Sequence, residues 1–211
     1  MLNRFFITGT DTGVGKTVVS ALLCAALDAI YWKPIQTGFS EDSDVATVTR
    51  LAALPSDRYI AETYLFSPPV SPHLAARLAG TRIDLRRIRL PKLDGTEGLI
   101  VEGAGGVLVP INGKQLMTDV MRHLGLPVLL VGRSGLGTIN HTLLSLAALR
   151  QAGLRVHGVV MVGPPNRENR ATIEHFGKVK VVGIVPPLAK LERYALIRVF
   201  RKHFDRRSFG K

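Results

Sequence analysis

The sequence predicts an α/β fold, built as one doubly wound, mainly parallel sheet with helices on both faces. Three observations carry this. Apolar, β-rich runs alternate with segments of helical spacing, most of those runs are continuous, and the first opens directly into a glycine-rich loop. Continuous apolar runs mark strands buried on both faces, and a β-α-β-α order implies right-handed crossovers.

The elements follow in order. Residues 4–8 read as the first strand, 16–27 as a helix and 30–33 as the second strand, which closes on Tyr31-Trp-Lys-Pro34. A helical pattern covers 43–53. The stretch Ser67-Pro-Pro-Val-Ser-Pro72 is too rich in proline for either element and reads as an extended loop that admits a one-turn helix after Pro72. Strand 99–102, helix 116–124, strand 128–132, helix 138–151, strand 156–162, helix 168–176 and strand 179–185 complete the alternation. The tail, 194–204, is a basic amphipathic helix whose Ile197, Phe200 and Phe204 should pack on the sheet. In such sheets ligands bind beyond the carboxyl ends of the strands.

Composition sets the limits. With 211 residues, 46% hydrophobic and 21% charged, the chain fits one globular domain over 1–211. Its longest apolar runs, 128–131 and 156–162, fall short of the roughly 18 residues of a membrane span. The first residues go straight into a strand without a leader pattern, which places the chain in the cytoplasm. Cys24 is the one cysteine, so an internal disulfide and a cysteine-based zinc cluster are excluded; it reads as a small buried residue of the first helix. The net charge of +12 is concentrated. Residues 77–92 hold six basic residues against one acid and 190–211 eight against two, which together account for eleven of the twelve charges. Solvated helix faces explain such segments, so neither nucleic acid nor membrane is expected as a partner. The six histidines show no metal-ligand spacing, and His157, on an apolar strand, reads as a satisfied core histidine.

The strongest chemical signal is Gly9-Thr-Asp-Thr-Gly-Val-Gly-Lys-Thr17, between a strand and a helix. Glycines let backbone N–H groups turn inward around phosphate oxygens, Lys16 bridges phosphates, and the Thr17 hydroxyl suits Mg²⁺. This makes the fold one of P-loop NTPase type. The strict pattern has glycine where Thr10 stands; Gly9 comes one place early. A triphosphate with Mg²⁺ also needs carboxylates. Glu102 closes an apolar strand and opens Glu102-Gly-Ala-Gly-Gly106, at the ligand edge. Asp44 is equally suited, by spacing, to cap a helix or to hold the metal. Lys33 is either a solvated strand terminus or a second cation facing the transferred phosphoryl group.

These residues resemble the dethiobiotin synthetase family, the ATP-dependent carboxylases of biotin synthesis. The likeness rests on Thr8-Gly-Thr-Asp-Thr with Val14-Gly-Lys-Thr17, Lys33-Pro34, Ser43-Asp44, Ser71-Pro-His73, Val101-Glu-Gly-Ala-Gly-Gly106 and Gly137-Thr-Ile-Asn-His141, in family order over roughly the first 160 residues. The resemblance implies a substrate, 7,8-diaminopelargonic acid, that takes up CO₂ as a carbamate; ATP phosphorylates it and the neighbouring amine closes a cyclic urea. It implies Lys16 and Lys33 as catalytic cations, with Thr17, Asp44 and Glu102 on Mg²⁺. The nucleotide is then expected against Thr12, Gly13, Val14, Gly15, Lys16, Thr17, Val18, Asp44, Glu102, Gly103, Ala104, Gly105, Pro186, Pro187 and Leu188. Thr37 should touch substrate, and Gly137, Thr138, Ile139 and Asn140 should bind its distant carboxylate across a homodimer interface.

Departures matter too. Relatives commonly recognise adenine with an Asn-Asp pair, where this chain has Val162-Gly163, and carry an acid where it has Lys190; both predict a weaker preference for ATP over other triphosphates. Gly13 stands where some relatives have an acid, the stretch 16–33 is short, and Pro91 interrupts what is normally a helix. The competing function is a partition or positioning ATPase of the same superfamily, a nucleotide-driven dimer switch. Those proteins carry a lysine where this chain has Asp11. A glutamine-fed amide ligase would need a glutaminase domain with a nucleophilic cysteine, which Cys24 does not supply.

Overall fold

The structure, a computed structural model, describes residues 3–38 and 43–211. In chain order the elements are β1 (Arg4–Gly9), α1 (Lys16–Leu27), β2 (Ala29–Trp32), β3 (Ile35–Thr37), α2 (Asp44–Ala52), β4 (Tyr59–Ile60), β5 (Tyr64–Phe66), α3 (Pro72–Leu78), β6 (Gly98–Gly106), α4 (Met117–Leu124), β7 (Val128–Arg133), α5 (Thr138–Gln151), β8 (Val156–Val162), α6 (Arg167–Gly177), β9 (Val181–Val185) and α7 (Arg193–His203), with 3₁₀ turns at Leu85–Arg87 and Arg206–Phe209. Seven strands form one sheet in the order β4-β2-β6-β1-β7-β8-β9, and every pairing in it is parallel. The strands β3 and β5 form a second, two-stranded parallel ribbon. The predicted α/β architecture therefore stands.

Side-chain alternation explains why the strands read as continuous apolar runs. Phe5, Ile7, Tyr31, Ile100, Leu129 and Val131 face α1, α2 and α7, whereas Phe6, Ile30, Trp32, Leu99, Val101 and Leu130 face α3, α4, α5 and α6. Both faces are covered, so neither parity can be polar without a partner. The helix α1 is rich in Ala and Leu, strong helix formers, and is buried on nearly all sides because α2 and α7 pack over it. Asp28, left-handed at φ 53°, stops it; Asp tolerates that conformation better than most residues.

Several boundaries differ from expectation. The strand β6 does not end at Glu102; it continues to Gly106, which pairs with Gly9, and Glu102 lies in mid-strand. β9 starts at Val181, and the helix after Pro72 makes two turns. Three short strands, β3, β4 and β5, were not foreseen. Around Pro91, residues 88–97 form neither helix nor strand. The tail behaves as its pattern predicts: Phe200 and Phe204 are buried, Ile197 is partly so, and α7 rests on α1 and β9. Phe204 lies so close over Gly183 that a Cβ there would stand 2.4 Å from its ring, so only glycine fits beneath it. Cys24 is fully buried, as expected. His157 departs from its expectation. It packs against Phe5 and Phe209 at centroid distances of 4.7 and 5.6 Å, but its buried Nε2 has no hydrogen-bond partner, and burial lowers its pKa.

Candidate active site

The loop after β1 shows why its glycines stand where they do. A Cβ on Gly9 would meet the Asp11 carbonyl oxygen at 2.7 Å, Val14 Cγ2 at 2.8 Å and Lys16 Nζ at 3.1 Å. The early glycine is thus the one this loop needs to fold back over its strand. Thr10 takes the usual glycine position without harm, its N–H bonded to the Val131 carbonyl at 2.9 Å. Gly13 and Gly15 are left-handed at φ 69° and 99°. Gly15 is the N-cap of α1 and supplies no side-chain cap, so the first turn of the helix keeps free N–H groups for an anion. Lys16 curls into the loop and donates to the Asp11 carbonyl at 3.0 Å. Burial lowers its pKa, an effect that the nearby charge of Glu102 partly offsets.

Four elements then converge. The register Tyr31↔Ile100 between β2 and β6 sets Tyr31 and Ile100 on the face under α1, and two residues further along each chain Lys33 and Glu102 reach the same face. Lys33 Nζ lies 2.6 Å from Asp44 Oδ2 and 3.2 Å from Glu102 Oε1. The Thr17 hydroxyl spans the same two carboxylates, at 2.6 Å from Asp44 Oδ1 and 3.1 Å from Glu102 Oε1. Burial alone would lower the Lys33 pKa, but the charges of Glu102 and Asp44 and their hydrogen bonds hold it above the ordinary lysine value. Burial would likewise raise Asp44, yet the Lys33 ammonium, with hydrogen bonds from Lys33 and Thr17, carries it below the ordinary carboxylate value. Lys33 is therefore a buried cation and not a solvated terminus. Asp44 is not the cap of α2: Ser43 fills that role, its hydroxyl accepting from the Ala46 N–H at 3.1 Å, which frees the Asp44 carboxylate for the cluster.

Two members of the cluster escaped sequence reasoning. Ser20 Oγ and Tyr31 Oη donate to Glu102 Oε2 at 2.7 and 3.0 Å. Burial and then the Glu102 charge push the Tyr31 phenol well above its ordinary pKa, so it stays a donor. Their spacing was visible, Ser20 one helical turn after Thr17 and Tyr31 one strand repeat before Lys33, but a buried serine or tyrosine is ordinary core until its partner is known.

A cleft of about 590 Å³ opens over this cluster. It gathers Thr12, Gly13, Gly15, Lys16, Thr17 and Val18 of the loop and α1 with Lys33, Thr37, Asp44, Glu102, Ala104 and Gly105. Gln36, Pro69–Pro72 and Val109 also line it, and none of them was foreseen. Other expected contacts lie off the cleft. Val14 is buried beneath the loop. Gly103 has its back to the core, where a Cβ would come 2.8 Å from the Phe6 ring. Pro186, Pro187 and Leu188 do not line this cleft; they follow β9, whose Val185 pairs with Val162 at the end of β8. Gly137 and Thr138 line a separate recess of about 90 Å³ with Arg133, Leu136 and His141; Ile139 and Asn140 follow on α5.

The end of β8 abuts the loop: a Cβ on Gly15 would touch Val162 at 3.0 Å. Next to it Gly163 adopts φ 129°, and the buried, unpaired Ser134 Oγ occupies the space a side chain would need, 2.4 Å from an ideal Cβ. Neither residue presents an amide or carboxylate. Chemically, the site offers two buried ammonium groups, two carboxylates sharing one hydroxyl, and an uncapped helix. The oxygen set of Thr17, Asp44 and Glu102 suits a hard divalent cation that also keeps water and phosphate ligands.

Comparison with known proteins bears on this arrangement. A family profile described as an AAA domain matches residues 3–195. The ATP-dependent dethiobiotin synthetase BioD of Agrobacterium fabrum is 47% identical over 98% of this chain and 96% of its own length. Its counterpart in Novosphingobium aromaticivorans is 46% identical over 99% and 100%. The biotin biosynthesis bifunctional protein BioCD of Bordetella avium is 54% identical over 90% of this chain, which spans only 41% of that longer protein. Among solved structures, a ParA family ATPase from Chlorobium tepidum (TM-score 0.54, 13% identity, 94% of this chain and 90% of that one) and the MinC:MinD complex of Aquifex aeolicus (0.53, 15%, 93% and 86%) share the fold. With identity near one half sustained over whole chains, the protein belongs to the ATP-dependent dethiobiotin synthetase family.

Proposed function

We propose that the chain carboxylates 7,8-diaminopelargonic acid with CO₂ and closes the product to dethiobiotin, at the expense of ATP and with Mg²⁺. The observation that supports this most is the convergence of Lys33, Asp44, Glu102 and Thr17 on one point beside the phosphate loop. In this reading an amine of the substrate adds to CO₂ and loses a proton, giving a carbamate. A carbamate oxygen attacks the γ-phosphorus, forming a carbamic-phosphoric anhydride and ADP. The neighbouring amine then attacks the carbonyl carbon, and phosphate leaves with the C–O bond.

Each residue has a task that its surroundings fit. Lys16 and the loop N–H groups hold the phosphates. Lys33, kept protonated by its two carboxylates, neutralises the carbamate and the migrating phosphoryl oxygens. The hydroxyl of Thr17 and the carboxylates of Asp44 and Glu102 would hold Mg²⁺, which when bound offsets phosphate charge. Thr37, on the cleft wall, fits a substrate contact. The substrate's distant carboxylate would lie at the amino end of α5, Gly137, Thr138, Ile139 and Asn140, where the N-cap Gly137 leaves the helix without a side-chain cap. These residues stand apart from the main cleft, which fits their acting on a second copy's substrate in a homodimer. The fully exposed Leu136 beside them suits such an interface. No described helix is long and apolar enough to cross a membrane, in keeping with a cytoplasmic enzyme.

The test is direct. Purified protein given the diamine, bicarbonate, Mg²⁺ and ATP should yield cyclic urea and phosphate in equal amounts. Nucleotide hydrolysis stimulated by DNA and indifferent to the diamine would instead point to the switch-type ATPases.

A further inference from the structure

Glu102 is fully buried in the middle of β6, and its two oxygens have separate sets of donors. Oε1 meets Thr17 Oγ1 at 3.1 Å and Lys33 Nζ at 3.2 Å, while Oε2 accepts from Ser20 Oγ at 2.7 Å and Tyr31 Oη at 3.0 Å. The division is regular. The helix α1 supplies one group to each oxygen, Thr17 to the first and Ser20 to the second, and the second strand with its extension does the same through Lys33 and Tyr31. The Oε1 partners line the cleft. The Oε2 partners are fully buried behind it and do not.

We propose that Ser20 and Tyr31 are positioning residues that fix the rotation of the Glu102 carboxylate, so that Oε1 is presented to the divalent cation accompanying the nucleotide. The terminal torsion of a glutamate is soft and roughly two-fold, so nothing in the side chain itself selects which oxygen faces the cleft or at what tilt. Two donors converging on Oε2 from different elements remove that freedom. They also satisfy the lone pairs of the oxygen that cannot reach solvent or metal. Partners behind a ligating group commonly set its orientation, and losing them lowers metal affinity about 10- to 100-fold. The proposal rests on the metal role given to Glu102 under the proposed function.

The experiment uses Tyr31→Phe, Ser20→Ala and the double variant, each loaded with a non-hydrolysable ATP analogue, with bound and free Mn²⁺ resolved by electron paramagnetic resonance. Mn²⁺ affinity should fall about tenfold in either single variant and further in the double, while binding of the analogue in excess chelator stays within about twofold of wild type. Tyr31→Phe keeps the ring in place, so it decides the matter if the others fail to fold. Unchanged Mn²⁺ affinity in folded Tyr31→Phe would overturn the proposal. So would an equal loss in metal-free nucleotide binding, since that would mean general damage to the pocket. A wild-type protein that made no cyclic urea would count against the proposed reaction and leave the metal measurement intact.

Discussion

The two halves of the sheet solve opposite problems. Beside the phosphate loop, where β2 ends and β6 runs on past it, charged side chains are drawn inward and paired: Lys33, Asp44, Glu102 and Thr17 form one hydrogen-bonded unit with Ser20 and Tyr31 behind it. In the half formed by β7, β8 and β9, apolar packing prevails. Val162 leans on Gly15 and Phe204 covers Gly183, and Ser134 Oγ and His157 Nε2 are buried without partners, as Thr8 Oγ1 and Trp32 Nε1 are in the other half. Side chains therefore fix the chemistry at one edge. At the other, the residues beside the loop offer backbone and hydrocarbon, surfaces that select shape weakly.

The contrast can be broken from either side. The largest expected effect is on the apolar half. Phe204→Ala should cost about 3–5 kcal/mol of stability, read as a lower denaturant midpoint, while the folded fraction keeps its turnover. On the charged half, Lys33→Ala should reduce ring closure about 10²- to 10³-fold in the folded fraction, with nucleotide binding largely retained, and should itself lower the denaturant midpoint because it leaves Asp44 and Glu102 without their buried counter-charge. Wild-type turnover in that variant would remove Lys33 from the mechanism. Nucleobase choice should respond more modestly. Wild-type protein should turn over ATP no more than about tenfold faster than CTP, and Val162→Asn, by adding an amide beside the loop, should widen the ratio about tenfold, or about 1.4 kcal/mol. A large ATP advantage in the wild type would overturn the expectation of weak nucleobase selection.

The smallest effect concerns pH. Burial sets the His157 pKa below 6.5, so its contribution to stability is present above that value and is lost as pH falls through it toward the folded pKa. Thermal midpoints measured between pH 7.5 and 5.5 should decline, and in His157→Phe that part of the decline should disappear. An identical slope in both proteins would mean that the imidazole is solvated in solution.

Much of this was legible in the sequence. Strands buried on both faces must be continuously apolar, so all the long strands and their helices could be placed to within a few residues. The strands β3, β4 and β5, two or three residues each, carry no periodicity to read. Lys16 and Thr17 came forward as candidates through the phosphate-loop pattern; for Lys33 and Asp44 a bland role was equally open by chemistry alone, and the family resemblance supplied the site role. Glu102 was found too, though its glycines continue the strand instead of ending it. Ser20 and Tyr31 were not found, because their meaning depends on what lies across from them. Val14, Gly103, Pro186, Pro187 and Leu188 do not line the cleft, and the amino end of α5 lies in a separate recess, as a contact made across a dimer interface would require; such distances are invisible along the chain.

Cys24 has a practical consequence. It is the chain's one thiol, sealed in the most protected helix and held by burial well above the ordinary cysteine range. A thiol reagent added to native protein can reach it only when α1 leaves the sheet. Labelling kinetics would therefore clock the opening of the molecule without any engineered probe, and added nucleotide should slow that clock in proportion to how tightly it is held.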